Sequence, residues 1–128
     1  MNTPSVSVIM SVHNGAEFLS EAVESILSQT YADFDFIIVD DASVDDSTQI
    51  LADYAVADKR ISLLRNESKR GLAASLNLAL EVAAPLVVRM DADDISLPGR
   101  LTLQKKLMDE HPEVAVLGGG CGFWTNMA

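Results

Sequence analysis

One cysteine, Cys121, is all that the 128 residues contain. Without a second thiol no internal disulfide forms, and a reducing compartment fits such a chain. Basic residues are also scarce, with 9 Lys and Arg against 19 Asp and Glu and a net charge of -10. A surface that acidic repels phosphate polymers and anionic lipid, which argues against nucleic-acid binding and points to cations, or to small anions carried with a cation. No apolar run approaches the roughly 20 residues of a bilayer span. The opening MNTPSVSVIMSVHNG has neither the charged start nor the cleavage region of a secretory signal. Phosphate-loop signatures are missing too: G-x-x-x-x-G-K-[ST] does not occur, and the glycines of GGGCG do not stand between a strand and a helix in G-x-G-x-x-G spacing. With no repeat, low-complexity tract or linker, a single domain over residues 1–128 is the economical reading.

What is abundant is apolar residues, 48% of the chain and enough for a sizeable core. They fall in short Val/Ile-rich runs alternating with stretches of helical period. VSVIMSV, FDFIIVD, RISLLR, LVVRM and VAVLGGG read as five strands. Between them AEFLSEAVESILSQ presents Phe18, Leu19, Ala22, Val23, Ile26 and Leu27 on one helical face. DDSTQILADYAVA carries acids and hydroxyls in its first turn and a stripe of Ile50, Leu51, Tyr54 and Ala55. GLAASLNLALEVAA spaces Leu72, Leu76 and Leu80 four apart and is ended by Pro85, and GRLTLQKKLMDEHP starts after Pro98. Strands apolar on both faces, alternating with helices, predict an α/β fold, doubly wound around a mainly parallel sheet with helices on both faces. The tail, with Phe123 and Trp124 just after a strand and no closing helix, reads as truncated; an exposed aromatic pair also suits an interface.

Ligands of such sheets bind beyond the carboxyl ends of the strands. Four polar groups gather on that rim: Ser11, His13 and Asn14; Asp40 and Asp41; Asn66, Lys69, Arg70 and Gly71; and Asp91, Asp93 and Asp94. In an extended segment the D-A-D of Asp91 to Asp93 turns two carboxylates to one side, an arrangement suited to Mg²⁺ or Mn²⁺ and, through the cation, to a phosphate-bearing substrate. The plainer role for closely spaced aspartates is capping a helix or solvating a loop. Asp45 and Asp46 read as caps. His111, before Pro112, reads as a surface residue at a helix end.

Taken in order, SVIMSVHNGAEFLSEAVESILSQTYADFDFIIVDDASVDDST, NESKRGLAASLNLAL and MDADDISLPGRL resemble the N-terminal half of the family 2 glycosyltransferases of the GT-A fold, from about Ser5 to about Gly119. The resemblance implies a Rossmann-like nucleotide-sugar-binding domain. It implies transfer of a sugar, with inversion, from a nucleoside diphosphate sugar, most often a UDP-sugar, to an acceptor hydroxyl, assisted by Mn²⁺ or Mg²⁺. By position it assigns Ser11 and His13 to the base and ribose pocket, and one of Asp40 and Asp41 to a bond with the base. Arg70 falls to the nucleotide, Asp93 to the metal, and Asp91 to ribose or metal. His13 stands where the family usually has tyrosine. The catalytic base and acceptor site belong to a further half of the family's domain, so this chain is expected to bind donor and to transfer little. The family's setting implies a cytoplasmic enzyme of bacterial polysaccharide or glycolipid assembly for the cell envelope, peripheral to the inner face of the membrane. Rival readings are a receiver domain, a nucleotidyltransferase and a non-catalytic interaction module. An exposed sheet edge also leaves self-association open.

Overall fold

The computed structural model describes residues 3–120 and Gly122. Strands and helices alternate: β1 (Val6–Val12), α1 (Ala16–Leu27), β2 (Phe34–Asp41), α2 (Ser47–Ala57), β3 (Ile61–Asn66), α3 (Leu72–Leu80), β4 (Leu86–Arg89) and α4 (Arg100–Glu110). The four strands form one parallel sheet in the order β3-β2-β1-β4. The chain therefore moves outward from β1 through β2 to β3, then returns past β1 to lay down β4. A right-handed crossover in each direction puts the connecting helices on opposite faces.

The two-residue period of the strands sorts their side chains between those faces. Val6, Val8, Met10 and Val12 of β1 and Phe34, Phe36 and Ile38 of β2 meet Leu19, Ala22, Val23 and Ile26 of α1, Leu51 of α2 and Leu101 of α4 in the larger core. Ile9, Ile37 and Val39 meet Ala79 of α3 on the other face, with Leu64, Leu76 and Leu78 packed around them. The sheet is doubly wound, as the alternation predicts.

Three details depart from the sequence-based expectation. The spacing of Leu72, Leu76 and Leu80 does not mark the buried face of α3; Ser75 and Ala79 do, while Leu72 and Leu80 stay half-exposed. Small residues four apart let the helix axis approach the sheet closely, and the Ser75 hydroxyl is needed there to accept a 3.0 Å bond from Asn66 Nδ2. That helix also ends at Leu80, before Pro85. Finally, VAVLGGG is not a fifth strand: residues 114–120 pair with no strand among the described residues, and Val116 is largely exposed. Three consecutive glycines weaken a strand that has no ladder partner to repay their backbone entropy. Cys121, Phe123 and Trp124 lie outside the described residues.

Candidate functional site

A parallel sheet whose order reverses has a crevice at the reversal, between the carboxyl ends of the two strands that part company there. Here those strands are β1 and β4. A cleft of about 410 Å³ opens at that point, lined by Ser11, His13, Asn14 and Gly15 after β1, by Asp91, Ala92 and Asp93 after β4, and by Glu17, Phe18 and Leu72. Of the residues singled out by sequence, Ser11, His13, Asp91 and Asp93 are thus brought together across nearly 80 positions of chain.

The acidic stretch is not extended. Asp94 N–H donates to the Asp91 carbonyl at 3.2 Å, closing a β-turn with Ala92 and Asp93 at its corner. Ala92 packs inward against the larger core. The turn gathers a third carboxylate, Asp94, which the D-x-D spacing alone does not assign: oxygens of Asp91, Asp93 and Asp94 all lie within 4.8 Å of one another. Among the described residues only Arg89 Nη2, 3.4 Å from Asp91 Oδ1, forms an ion pair with any of the three. Burial, then the charges of Asp93 and Asp91, raise the pKa of Asp94 above that of an ordinary carboxyl, and Arg100 offsets this in part. Three oxygen donors under mutual repulsion fit a hard divalent cation such as Mg²⁺ or Mn²⁺.

On the opposite wall His13 Nδ1 donates to the Asp41 carbonyl at 2.7 Å, while Nε2 faces the Asn14 amide at 3.3 Å. These contacts select the tautomer protonated on Nδ1. Asn14 adopts a left-handed φ of 51°, which Asn tolerates better than most residues. Its backbone N–H donates to Ser43 Oγ, and its Oδ1 accepts from Val44 N–H at 2.8 Å. The next N–H groups, of Gly15 and Ala16, donate to Ser47 Oγ and Asp45 Oδ2. The loop after β2 therefore grips the first turn of α1. Asp45 also accepts from Ser47 N–H, a capping bond as expected; bonds from Ser47 hold its pKa low. Asp46 occupies the N-cap position of α2 without a side-chain capping bond.

Asp40 and Asp41, adjacent in β2, point to opposite faces of the sheet and are almost wholly buried. Asp40 accepts from Ser43 N–H, Thr48 Oγ1 and, at 2.8 Å, Arg65 Nη1, tying β3 to the start of α2. Asp41 accepts from Asn66 Nδ2 and from the N–H groups of Arg70 and Gly71 at 2.8 and 2.9 Å. Burial by itself raises the Asp41 pKa, but those bonds and the proximity of His13 outweigh it and leave the carboxyl lower than usual. Gly71 adopts a φ of 93°, a conformation other residues resist, as the backbone passes from the N–H bonded to Asp41 into α3. Neither carboxylate lines the cleft. Asp41 reaches its edge through its carbonyl on His13, and Arg70 is an exposed residue just before Leu72.

Sequence reasoning did not assign Glu17, Phe18 or Leu72 to the site. Phe18 and Leu72 were expected in apolar stripes, and their half-exposure marks them as cleft walls instead. The remaining acids near the chain's end make surface pairs: Asp109 with Lys105, Glu110 with Lys106, and Glu113 with His111.

Residues 7–121 match the sequence model described as Glycosyl transferase family 2. EpsE of Bacillus subtilis, itself assigned as a glycosyltransferase, is 42% identical over 119 residues, which are 91% of this chain and 43% of that protein. Staphylococcus aureus TarS 1-349 in complex with UDP-GlcNAc superposes with a TM-score of 0.78 at 27% identity, covering 84% of this chain and 32% of that one. The mannosyltransferase PcManGT of Pyrobaculum calidifontis, in complex with GDP-Man and Mn²⁺, gives 0.71 at 30% identity, covering 84% and 32%. The chain thus spans about two-fifths of the length of EpsE.

Proposed function

The chain belongs to glycosyl transferase family 2, and from that premise we propose that its cleft is the donor site of a glycosyltransferase that uses a nucleoside diphosphate sugar. One observation carries this reading: the residues beyond β1 and the acidic turn beyond β4 meet at the sheet's reversal point, where α/β sheets bind nucleotides. The complexes of TarS with UDP-GlcNAc and of PcManGT with GDP-Man and Mn²⁺ support the same ligand chemistry.

In this reading Ser11 and His13 form the wall for base and ribose, with the imidazole held by the Asp41 carbonyl. Arg70 contributes positive charge beside the nucleotide, while the buried Asp41 carboxylate acts on the pocket indirectly, holding the Arg70–Gly71 backbone as its carbonyl holds His13. Asp93, with Asp91 and Asp94 beside it, would hold Mn²⁺ or Mg²⁺, whose charge would offset that of the departing diphosphate, worth several kcal/mol. An acceptor hydroxyl attacks the anomeric carbon with inversion, the C–O bond to the diphosphate breaks, and the hydroxyl proton passes to a general base. None of Asp109, Glu110 and Glu113, which are engaged in surface pairs, is assigned as that base. With the base assigned to none of these, the 128 residues are expected to bind donor and to transfer little by themselves. UDP is the first nucleotide to try, and cell-envelope polysaccharide or glycolipid assembly at the cytoplasmic membrane face is the setting proposed. No helix among the described residues is long and apolar enough to cross a membrane.

Calorimetric titration with UDP, with and without Mn²⁺, tests the site. Mn²⁺-dependent binding that a folded Asp93→Ala variant loses is the expected result. Absence of UDP binding to folded wild-type chain under both conditions refutes a UDP site, and robust sugar transfer by the chain alone refutes the assignment of the base elsewhere.

A further inference from the structure

Just beyond α1, Gln29 is only 5% exposed, and nothing in the cleft's chemistry uses it. Burying a long amide side chain costs rotamer entropy and water contacts, so its bonding partners identify what it is there to hold. Nε2 donates to the Leu97 carbonyl at 2.7 Å and to the Ser25 carbonyl at 3.0 Å, with the Ser96 carbonyl at 3.5 Å. Oε1 accepts from Leu101 N–H at 3.0 Å. One side chain thus bridges the end of α1, the loop before α4 and the first turn of α4. Its neighbours add to the grip: Ser25 Oγ accepts from Ser96 N–H at 3.0 Å, and Thr30 N–H donates to the Pro98 carbonyl at 3.0 Å.

The acidic turn hangs between two fixed points. Upstream, Met90 is buried and its N–H donates to the Ile9 carbonyl at 3.0 Å. Downstream, the fixed point is the segment from Ser96 to Leu101 that Gln29 clamps. Between them, the side chains of Asp93 and Asp94 accept no hydrogen bond from any described residue. The positions of these carboxylates are therefore inherited from the backbone of the turn, and that backbone is held by its two ends.

We propose that Gln29 is a positioning residue for cation binding: its buried carboxamide sets the loop so that the three carboxylates of the acidic turn converge. This rests on the donor-site reading above. A cation site needs its ligands held in place by groups that touch no metal, and loss of such a group typically weakens metal binding about 10- to 100-fold.

Two variants test it. Gln29→Met keeps the length without polar atoms; Gln29→Glu keeps an acceptor for Leu101 N–H but turns a second acceptor toward the Leu97 carbonyl. With folding checked by circular dichroism, UDP affinity is measured in Mn²⁺ and in EDTA, and amide hydrogen exchange is followed without ligand. The expected result is about 10-fold weaker UDP binding in Mn²⁺, unchanged affinity in EDTA, and faster exchange confined to residues 91–101. A merely structural residue lowers the melting temperature yet leaves the Mn²⁺-dependent gain intact; that outcome overturns the proposal, as does unchanged exchange in the turn. If wild-type chain binds no UDP, the donor-site reading fails separately, and exchange alone decides whether Gln29 holds the turn. Should Gln29→Met not fold, Ser25→Ala removes one clamp of the same loop and carries the same exchange signature at smaller size.

Discussion

Replacing Asp93 by Ala distinguishes two roles for the acidic turn by the sign of a stability change. If these aspartates serve as caps, the substitution removes a favourable bond and destabilises by about 0.5–2 kcal/mol. The structure has no such bond to lose: Asp93 is exposed, accepts no hydrogen bond from a described residue, and has oxygens of Asp91 and Asp94 within 4.8 Å. At that separation each like-charge pair costs about 0.9 kcal/mol in a water-like dielectric. Two pairs, reduced by salt screening, leave about 1 kcal/mol. Asp93→Ala is therefore expected to stabilise the metal-free protein by up to about 1 kcal/mol, since neighbours in sequence still repel in part in the unfolded chain, and by up to roughly 3–5 °C in melting temperature for a chain of this size. The gain shrinks at high salt. With Mn²⁺ the order reverses: at 100 times the dissociation constant the wild type gains about 2.7 kcal/mol, and the variant, short of one ligand, gains less. Thermal melts in EDTA at low and high salt, then in Mn²⁺, measure all three effects. A variant less stable than wild type in EDTA, with an unchanged response to Mn²⁺, refutes the reasoning and restores the capping role.

The lowered pKa of Asp41 makes a pH prediction. Because its folded value lies below that of the unfolded chain, its contribution is present above the ordinary carboxyl pKa of 3.8 and is lost as pH falls through the folded value. Asp41→Asn, which sets an amide against the N–H donors of Arg70 and Gly71, is expected to cost about 1–3 kcal/mol near neutrality and to flatten the acid limb of urea-unfolding midpoints; an acid limb as steep as wild type contradicts it. On α3, Ser75→Leu should destabilise by about 1–3 kcal/mol through overpacking, whereas Leu80→Ala, at a half-exposed position, should cost less than about 1 kcal/mol. The reverse order in denaturant titrations would mean that the leucine stripe faces the sheet after all. His13→Ala should weaken UDP binding and cost about 0.5–1.5 kcal/mol of stability through the lost bond to the Asp41 carbonyl; equal affinity removes His13 from the pocket wall.

Fold class was legible because hydrophobic period is a local property. The runs VSVIMSV and FDFIIVD are apolar on both faces, which only a sheet covered on both sides satisfies, and the register of β1 against β2 and β4 bears this out. The leucine spacing of α3 misled for a related reason. Period identifies an apolar stripe but not how closely the helix must approach its sheet, and close approach selects Ser75 and Ala79 over larger neighbours. VAVLGGG illustrates the other limit: β-propensity proposes a strand, but a strand exists only when another lends it hydrogen bonds.

By itself the sequence determined the alternation of elements, the acidic surface, the set of polar residues at the strand ends and, through ordered motifs, the family. Those features depend on residue type and on neighbours within a few positions. Tertiary structure alone decided which strand ends adjoin. Strand order placed β1 beside β4, which carried Ser11 and His13 to the acidic turn and left Asp40 and Asp41 behind the cleft as buried ties to other loops. It also decided that the turn is a β-turn, which brings Asp94 in beside Asp91 and Asp93. The physical reason is that convergence of side chains distant in sequence is set by packing and backbone hydrogen bonds, which no local pattern encodes.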